Sequence, residues 1–158
     1  MPRKEITVKK ILGLLLTLVL LIAACAAWAE QPAGSEAAQE MENMMKIRIN
    51  DKTYLAELED SDAARAFAAL LPMQLHMTEL NGNEKYHYLM SGLPNAPERV
   101  GHIEAGDLML FGDDCVVVFY ESFSTPYSYT RIGRILDIGG LAEQLGSRDT
   151  DVSFEPAE

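Results

Sequence analysis

Basic residues and cysteines are scarce in this sequence. A total of 13 lysines and arginines stand against 24 aspartates and glutamates, which gives a formal net charge of −11. This balance argues against binding to nucleic acid or to anionic lipid headgroups, because both rely on positive surface charge. The sequence also lacks a phosphate-binding loop, a nucleophile elbow and a dinucleotide fingerprint, so no common motif assigns it a reaction.

The longest hydrophobic run lies at the N-terminus. Four basic residues precede it between positions 3 and 10, and residues 11–24 carry no charge. A basic segment followed by an apolar one is typical of a secretory signal peptide. The run is shorter than the roughly 20 residues that a transmembrane helix requires. We therefore predict that residues 1–24 are a signal peptide.

The end of this run resembles the lipobox of bacterial lipoproteins. Residues 22–25 read Ile-Ala-Ala-Cys, and in lipoproteins this cysteine becomes the new N-terminus and carries the lipid. The resemblance implies that Cys25 anchors the protein to the membrane on the extracytoplasmic side of the cell envelope. Two alternatives remain open. Cleavage after Ala29, at the A-x-A pattern of residues 27–29, would release a secreted protein, and an uncleaved apolar helix would remain as an anchor.

Loss of the signal peptide makes the chain more acidic. It removes four basic residues and one acidic residue, so the 158 residues become 134 and the net charge falls from −11 to −14. Residues 25–44 are rich in Ala, Glu, Gln, Gly and Ser, which predicts a flexible tether that begins at the lipid-bearing Cys25. Cys115 then has no disulfide partner, and its apolar neighbours predict an inert thiol.

Residues 45–158 carry patterns that predict a mainly β domain. Residues 45–49 and 53–58 alternate with a period of two around a turn, which predicts a hairpin. A helix is predicted between a cap at Asp60 or Ser61 and Pro72. Its expected apolar stripe comprises Ala63, Phe67, Leu70 and Leu71. Further strands are predicted at residues 73–78, 85–90, 108–111, 115–120, 129–136 and 150–154, and a second helix at residues 141–145. Such short strands favour a closed barrel of about eight strands, because closure removes exposed edges.

Four segments resemble a small bacterial family of cyclophilin-like domains. They are residues 70–72 (LLP), 80–86 (LNGNEKY), 106–112 (GDLMLFG) and 122–133 (SFSTPYSYTRIG). The resemblance extends over residues 45–155 and implies a cyclophilin-like closed β-barrel with two short helices. It implies no reaction, because the family is named for its fold.

Prolyl isomerisation is the activity that the fold would suggest. It needs an apolar pocket and a cation or donor that weakens amide resonance. Cyclophilins carry the required arginine in a Phe-His-Arg motif, followed by Phe-Met-x-Gln. The corresponding residues 75–78 read LHMT, and the second motif is missing, so no catalytic residue is predicted. The prediction is a noncatalytic peptide- or small-molecule-binding module, with a divergent peptidyl-prolyl isomerase that uses Arg131 or Arg134 as the alternative.

Aromatic residues mark the candidate binding site. The predicted ligand-binding residues are Phe123, Tyr127, Tyr129, Arg131, Tyr86 and Tyr88. The first four lie in residues 122–131, which we expect to form a lip for a peptide or a small acid at the mouth of the barrel. In the alternative, the rings plug the mouth and the serines satisfy turn backbone. The other two tyrosines share one strand face, where they either line the same cavity or pack across strands.

No metal or cofactor is predicted. The sequence has 3 histidines, at positions 76, 87 and 102, without the paired short spacing or second nearby cysteine that a zinc site requires. His76 and His87 flank a predicted hairpin and can meet across it. We expect all three histidines to be surface residues.

Overall fold

The computed structural model describes residues 43–157. The predicted signal peptide, Cys25 and most of the predicted tether lie outside this part of the chain. Within it, the strands are β1 (Met44–Ile49), β2 (Lys52–Leu58), β3 (Met73–Leu80), β4 (Glu84–Tyr88), β5 (Glu98–Arg99), β6 (His102–Ile103), β7 (Asp107–Phe111), β8 (Cys115–Phe119), β9 (Phe123–Ser124), β10 (Ser128–Ile135) and β11 (Thr150–Pro156). The helices of the described part are α1 (Asp62–Ala68) and α2 (Leu141–Leu145), and neither is long and apolar enough to span a membrane.

Eight of these strands close into an antiparallel barrel. Their order around the wall is β2-β1-β11-β3-β4-β8-β7-β10, and β10 pairs with β2 to complete the ring. The short strand β5 adds to β10, while β6 and β9 form a separate pair. The structure thereby confirms the predicted mainly β barrel with two short helices. Closure removes the exposed edges that β2 and β10 would otherwise present.

The barrel interior follows the alternation seen in the sequence. In the β1–β2 hairpin, Ile47 lies opposite Tyr54, and both are buried in a core that also holds Phe154 of β11. The neighbouring pair, Arg48 and Thr53, is exposed. The predicted hairpin is therefore confirmed, and its period of two decides which side chains fill the barrel.

Helix α1 packs against this core. Its N-cap is Ser61, whose hydroxyl accepts a hydrogen bond of 3.1 Å from the backbone N–H of Ala64. Phe67 is fully buried, with its ring edge-on to Phe154 at a centroid distance of 5.5 Å. The predicted stripe is wrong at its C-terminal end, because the helix stops early and Leu70 is 44% exposed. The backbone N–H of Leu70 instead donates to Phe67 in a tighter turn, which rotates its side chain away from the core.

A buried ion pair lies on the interior side of β3 and β4. Lys85 is fully buried, and its amine donates to the carboxylate of Glu79 and to the carbonyl oxygens of Gly146 and Arg148, the latter two at 2.8 and 2.9 Å. The hydroxyl of Tyr120 donates to the same carboxylate at 2.7 Å. All three donors of the ammonium group are thus used, as a buried charge requires. The network ties the β3–β4 hairpin to the chain that follows α2.

Strand β8 is buried on both faces. Val116 and Val118 belong to the barrel core, whereas Cys115, Val117 and Phe119 belong to a second cluster on the outer face. The other fully buried or nearly buried members of this outer cluster are Ile103, Met109 and Tyr129. A continuous apolar run is typical of a strand that is covered on both sides. The segments that carry β6 and β9 provide that outer cover.

Candidate functional site

A cavity of about 490 Å³ lies on the outer face of the barrel wall. Its walls come from β4, β7, β8 and β10, and its rim includes the connection from β9 to β10. Six aromatic side chains line it: Tyr86, Tyr88, Phe111, Phe123, Tyr127 and Tyr129. Its volume falls within the roughly 300–1,000 Å³ of sites that bind small ligands.

The pleat of β4 positions two of these rings. Tyr86 and Tyr88 are two residues apart, so both side chains leave the outer face of the strand. They lie opposite Val117 and Cys115 of β8, respectively. Their rings meet edge to face, with centroids 5.8 Å apart and planes at 80°. The two tyrosines therefore line the cavity, one of the two possibilities that the sequence left open, and their rings also contact each other along the same strand.

The β9–β10 region supplies the opposite side of the cavity. Tyr129 is nearly buried and packs edge-on against Phe119 at a centroid distance of 5.5 Å. Tyr127, in contrast, is 59% exposed and meets Phe111 at 6.0 Å. Phe123 packs on Phe119 at 5.8 Å. Tyr129 is accordingly a wall of the cavity, whereas Tyr127 stands at its rim, where a ligand would enter.

The location of these rings corrects the sequence interpretation. We expected them at the mouth of the barrel, either as a binding lip or as a plug. They lie instead on the outer face of β8, beside Cys115 and Val117, while the interior of the same strand is filled by Val116 and Val118. The rings lie outside the barrel because β6 and β9 fold over the outer face of the wall. This is a long-range contact, which no local sequence pattern predicts.

Arg131, the one predicted binding residue that is not aromatic, is not among the residues that line the cavity. Its Nε donates to Glu98 at 3.0 Å, and its Nη1 lies 3.8 Å from the carboxylate of Asp107. The guanidinium of Arg131 is therefore engaged by two acidic side chains. Arg134, which we considered as a substitute catalytic arginine, is exposed on β10 and also lies outside the cavity lining.

Glu84 is the one carboxylate of the cavity, and no lysine, arginine or histidine of residues 43–157 lines it. Burial raises the pKa of Glu84, and the nearby charge of Glu79 raises it further. Among the described residues, no ion pair or side-chain hydrogen bond reaches its carboxylate. The sequence interpretation missed Glu84, although its spacing from Tyr86 by two residues puts both on the same face of β4.

Cys115 is a lining residue without nucleophilic character. Burial raises the pKa of its thiol to about 11, and a hydrogen bond with Tyr88 only partly offsets this effect. The thiol is therefore protonated at neutral pH, whereas the reactive form of a cysteine is the thiolate. This agrees with the inert buried thiol that the sequence predicts.

The three histidines lie outside the cavity. His76 contacts Asp151 at 2.8 Å, and His87 contacts the carbonyl oxygen of His76 at 2.8 Å, so the two histidines do meet across the β3–β4 hairpin. His102 pairs with Glu104 at 3.5 Å. Within residues 43–157, no group of three or more His, Cys, Asp or Glu side chains has the arrangement of a metal site.

Comparison with known proteins relates the barrel to others. Residues 47–155 match the Cyclophilin-like family. A hypothetical protein from Archaeoglobus fulgidus is 18% identical with a TM-score of 0.49, over 74% of this chain and 96% of that chain. McbB, solved in complex with tryptophan, is 15% identical with a TM-score of 0.51, over 70% of this chain and 44% of McbB, so the match spans less than half of McbB. No curated protein matches the sequence.

Proposed function

Since the chain belongs to the Cyclophilin-like family, and a fold does not by itself assign a reaction, we propose that it is a noncatalytic binding module. A peptide or small molecule would occupy the outer-face cavity, and a lipid on Cys25 would hold the domain at the extracytoplasmic side of the membrane. The observation that carries the binding role is the cavity itself, which six aromatic side chains line.

The chemistry of the lining supports binding rather than catalysis. Cys115 holds its proton at neutral pH because burial raises its pKa to about 11. The arginine expected of a prolyl isomerase has Met77 at its matching position, and Met77 is fully buried in the barrel core. Arg131 is engaged by Glu98 instead of facing the cavity. The lining therefore offers rings and hydrogen-bonding groups for recognition, but no activated nucleophile.

The exposure of the rim supports the same proposal. Tyr88, Tyr127 and Phe111 are 60%, 59% and 43% exposed. Aromatic side chains that stay exposed and contiguous in a folded domain are typical of surfaces that receive a partner or ligand. Tyrosine suits this role because its ring offers rigid apolar area and its hydroxyl stays hydrated.

Calorimetric titration of the full chain in nonionic detergent tests the binding role. The panel comprises proline peptides, amino acids and small metabolites, and it includes tryptophan because McbB has been solved with it. We expect at least one compound to bind, and Tyr127→Ala to weaken binding roughly tenfold, since removing a ring contact at a site costs on the order of 1 kcal/mol or more.

Leu55→Ala is the matched control, because Leu55 is an exposed apolar residue of β2, outside the cavity lining. It should leave binding unchanged. Absence of binding across the whole panel would count against the proposal. Isomerisation of a proline peptide that disappears in Arg131→Ala or Arg134→Ala would establish the alternative, a divergent peptidyl-prolyl isomerase.

Mass spectrometry of the mature N-terminus tests the proposed anchor. A lipid-bearing peptide that begins at Cys25, and that is lost in Cys25→Ser, is the expected result. An unmodified peptide that begins at Glu30 would instead identify a secreted protein cleaved after Ala29. An N-terminus at Met1 would identify an uncleaved anchor.

A further inference from the structure

The aromatic cavity carries one formal negative charge and no positive one within the described residues. Its six rings are joined by Glu84 as the only carboxylate, and the remaining lining residues are neutral. We propose that this cavity is a site for an organic cation, specifically an alkylated ammonium group. The inference rests on the proposed binding function, because it names the ligand class of the same cavity.

The rings suit a cation because of their electrostatics. The face of a phenyl or phenol ring is negative, so an ammonium group within about 6 Å of the ring centroid is attracted to it. Neighbouring rings here stand nearly perpendicular, at 80° for Tyr86 and Tyr88 and at 82° for Phe111 and Tyr127. The rings that line the cavity therefore differ in the orientation of their faces. Alkyl substituents on the ammonium would bury apolar area against the same rings.

Glu84 supplies the formal countercharge. No described cation pairs with its carboxylate, although the side chain is partly withdrawn from water. A partly buried charge is costly unless it is paired. An anionic ligand would be repelled by Glu84, and a neutral ligand would leave the carboxylate unpaired. A cation is the ligand that completes the site.

The placement of arginine argues against the acidic ligand that the sequence first suggested. Arg131 would have been the anchor for a carboxylate, but Glu98 and Asp107 compensate its charge outside the cavity. The acidic balance of the chain, −11 in formal charge, further raises the local concentration of cations over that of anions. Local and overall electrostatics thus favour the same ligand class.

Calorimetry of the full chain in nonionic detergent tests this inference with a matched pair of probes. Choline carries a trimethylammonium group, and 3,3-dimethylbutan-1-ol has the same shape without the charge. We expect choline to bind about tenfold more tightly than its neutral isostere, since a cation in a partly desolvated aromatic site gains on the order of 1–2 kcal/mol. This comparison needs no variant and does not depend on how a mutant folds.

Glu84→Gln then assigns the preference to one side chain. We expect it to weaken choline binding severalfold, towards the affinity of the isostere, because the rings still attract the cation, and the affinity of the isostere itself should not change. Glu57→Gln is the control, because Glu57 is an exposed glutamate of β2 and its replacement removes the same charge outside the cavity. It should leave both affinities unchanged. Equal losses in the two variants would mean that net charge, and not the site, attracts the cation, and would overturn the inference.

The remaining outcomes separate this inference from the proposed function. If choline and its isostere bind equally, or if neither binds while another compound of the panel does, the cation site is wrong and the binding module stands. If nothing binds, both proposals fail. A peptide that contains trimethyllysine presents the same ammonium group on a protein partner. Tighter, Glu84-dependent binding of that peptide would identify a side chain, and not a free amine, as the source of the cation.

Discussion

Glu79 and Glu84 stand on opposite faces of the same hairpin and differ in almost every contact. Glu79 lies on the interior side, where it accepts hydrogen bonds from Lys85, from the Tyr120 hydroxyl at 2.7 Å and from the backbone N–H of Gly82 at 2.7 Å. Glu84 lies on the outer face and lines the aromatic cavity without a described side-chain partner. Two carboxylates five residues apart thus have opposite environments.

The pKa shifts of the two groups express this difference. Burial disfavours the charged form of Glu79, but the hydrogen bonds from Lys85, Tyr120 and Gly82 outweigh it and lower its pKa. Burial also disfavours charge on Glu84, and with no partner to compensate, its pKa is raised. The partners of Glu79 therefore stabilise its charged form in the folded state, whereas folding disfavours the charge of Glu84, as is common for groups at binding sites.

The largest expected effect comes from breaking the interior network. Lys85→Met should lower the free energy of unfolding by about 3–5 kcal/mol, because it leaves the partly buried Glu79 carboxylate without its cation. Urea unfolding followed by circular dichroism measures the change. Adding Glu79→Gln to Lys85→Met should recover part of the loss, since the uncompensated charge is then removed.

Glu84→Gln is the counterpart on the outer face. Its free energy of unfolding near neutral pH should stay within about 0.5 kcal/mol of the wild type or rise slightly. A loss as large as that of Lys85→Met would contradict the contrast between the two faces, because it would make Glu84 part of the structural network.

The pH dependence of stability should separate the two glutamates by sign. Glu79 has a lowered pKa in the folded state, so its contribution is present above the ordinary pKa of 4.5 and is lost as the pH falls through the folded value. Glu84 has a raised pKa, so the folded protein holds the extra proton and stability falls as the pH rises from 4.5 to that raised value. Urea midpoints across the acid range measure both.

Replacing either glutamate by glutamine should remove the pH dependence of stability that this glutamate contributes. Glu79→Gln should flatten the loss of stability on the acid side, and Glu84→Gln should remove the opposing loss at higher pH. If the two variants change the pH profile in the same direction, the assignment of opposite environments is wrong.

The smallest expected effect concerns the thiol next to the cavity. With Cys25→Ser as background, Cys115 is the remaining cysteine, and its alkylation by iodoacetamide should be slow at neutral pH and accelerate towards the pKa of about 11. Tyr88→Phe should slow the reaction severalfold or less, because it removes the hydrogen bond that lowers this pKa. A rate that levels off near neutral pH would contradict the protonated thiol.

Much of the barrel was predictable from local patterns. The alternation around Ile47 and Tyr54 identified the first hairpin, and the apolar run at residues 115–120 identified strand β8, which the structure shows to be buried on both faces. The two-residue strands β5, β6 and β9 were not predicted, because such short pairings are made by long-range contacts and carry no periodicity. The exposure of Leu70 was also missed, since only the turn before Pro72 decides it.

The candidate site was predictable in its ring composition and not in its charge. Tyr86, Tyr88, Phe123, Tyr127 and Tyr129 all line the cavity, and clustered aromatic residues were the signal. The arginine close to these rings in the sequence led us to expect a peptide or a small acid as the ligand. In the structure Arg131 pairs with Glu98, which is 33 residues away in the sequence, and spacing along the chain does not reveal this contact. Glu84 is then the charged residue that lines the cavity.

The amino-acid sequence by itself determined most of the strands and the two sides of each strand. Both are local, because a period of two and a turn signal are read within a few residues. Only the tertiary structure decided that the aromatic side chains lie outside the barrel, that Lys85 is buried with Glu79, and that Glu84 is left without a described partner. These outcomes depend on which distant segments of the chain cover each face of the sheet. Burial by those segments sets how strongly each enclosed charge interacts with its surroundings.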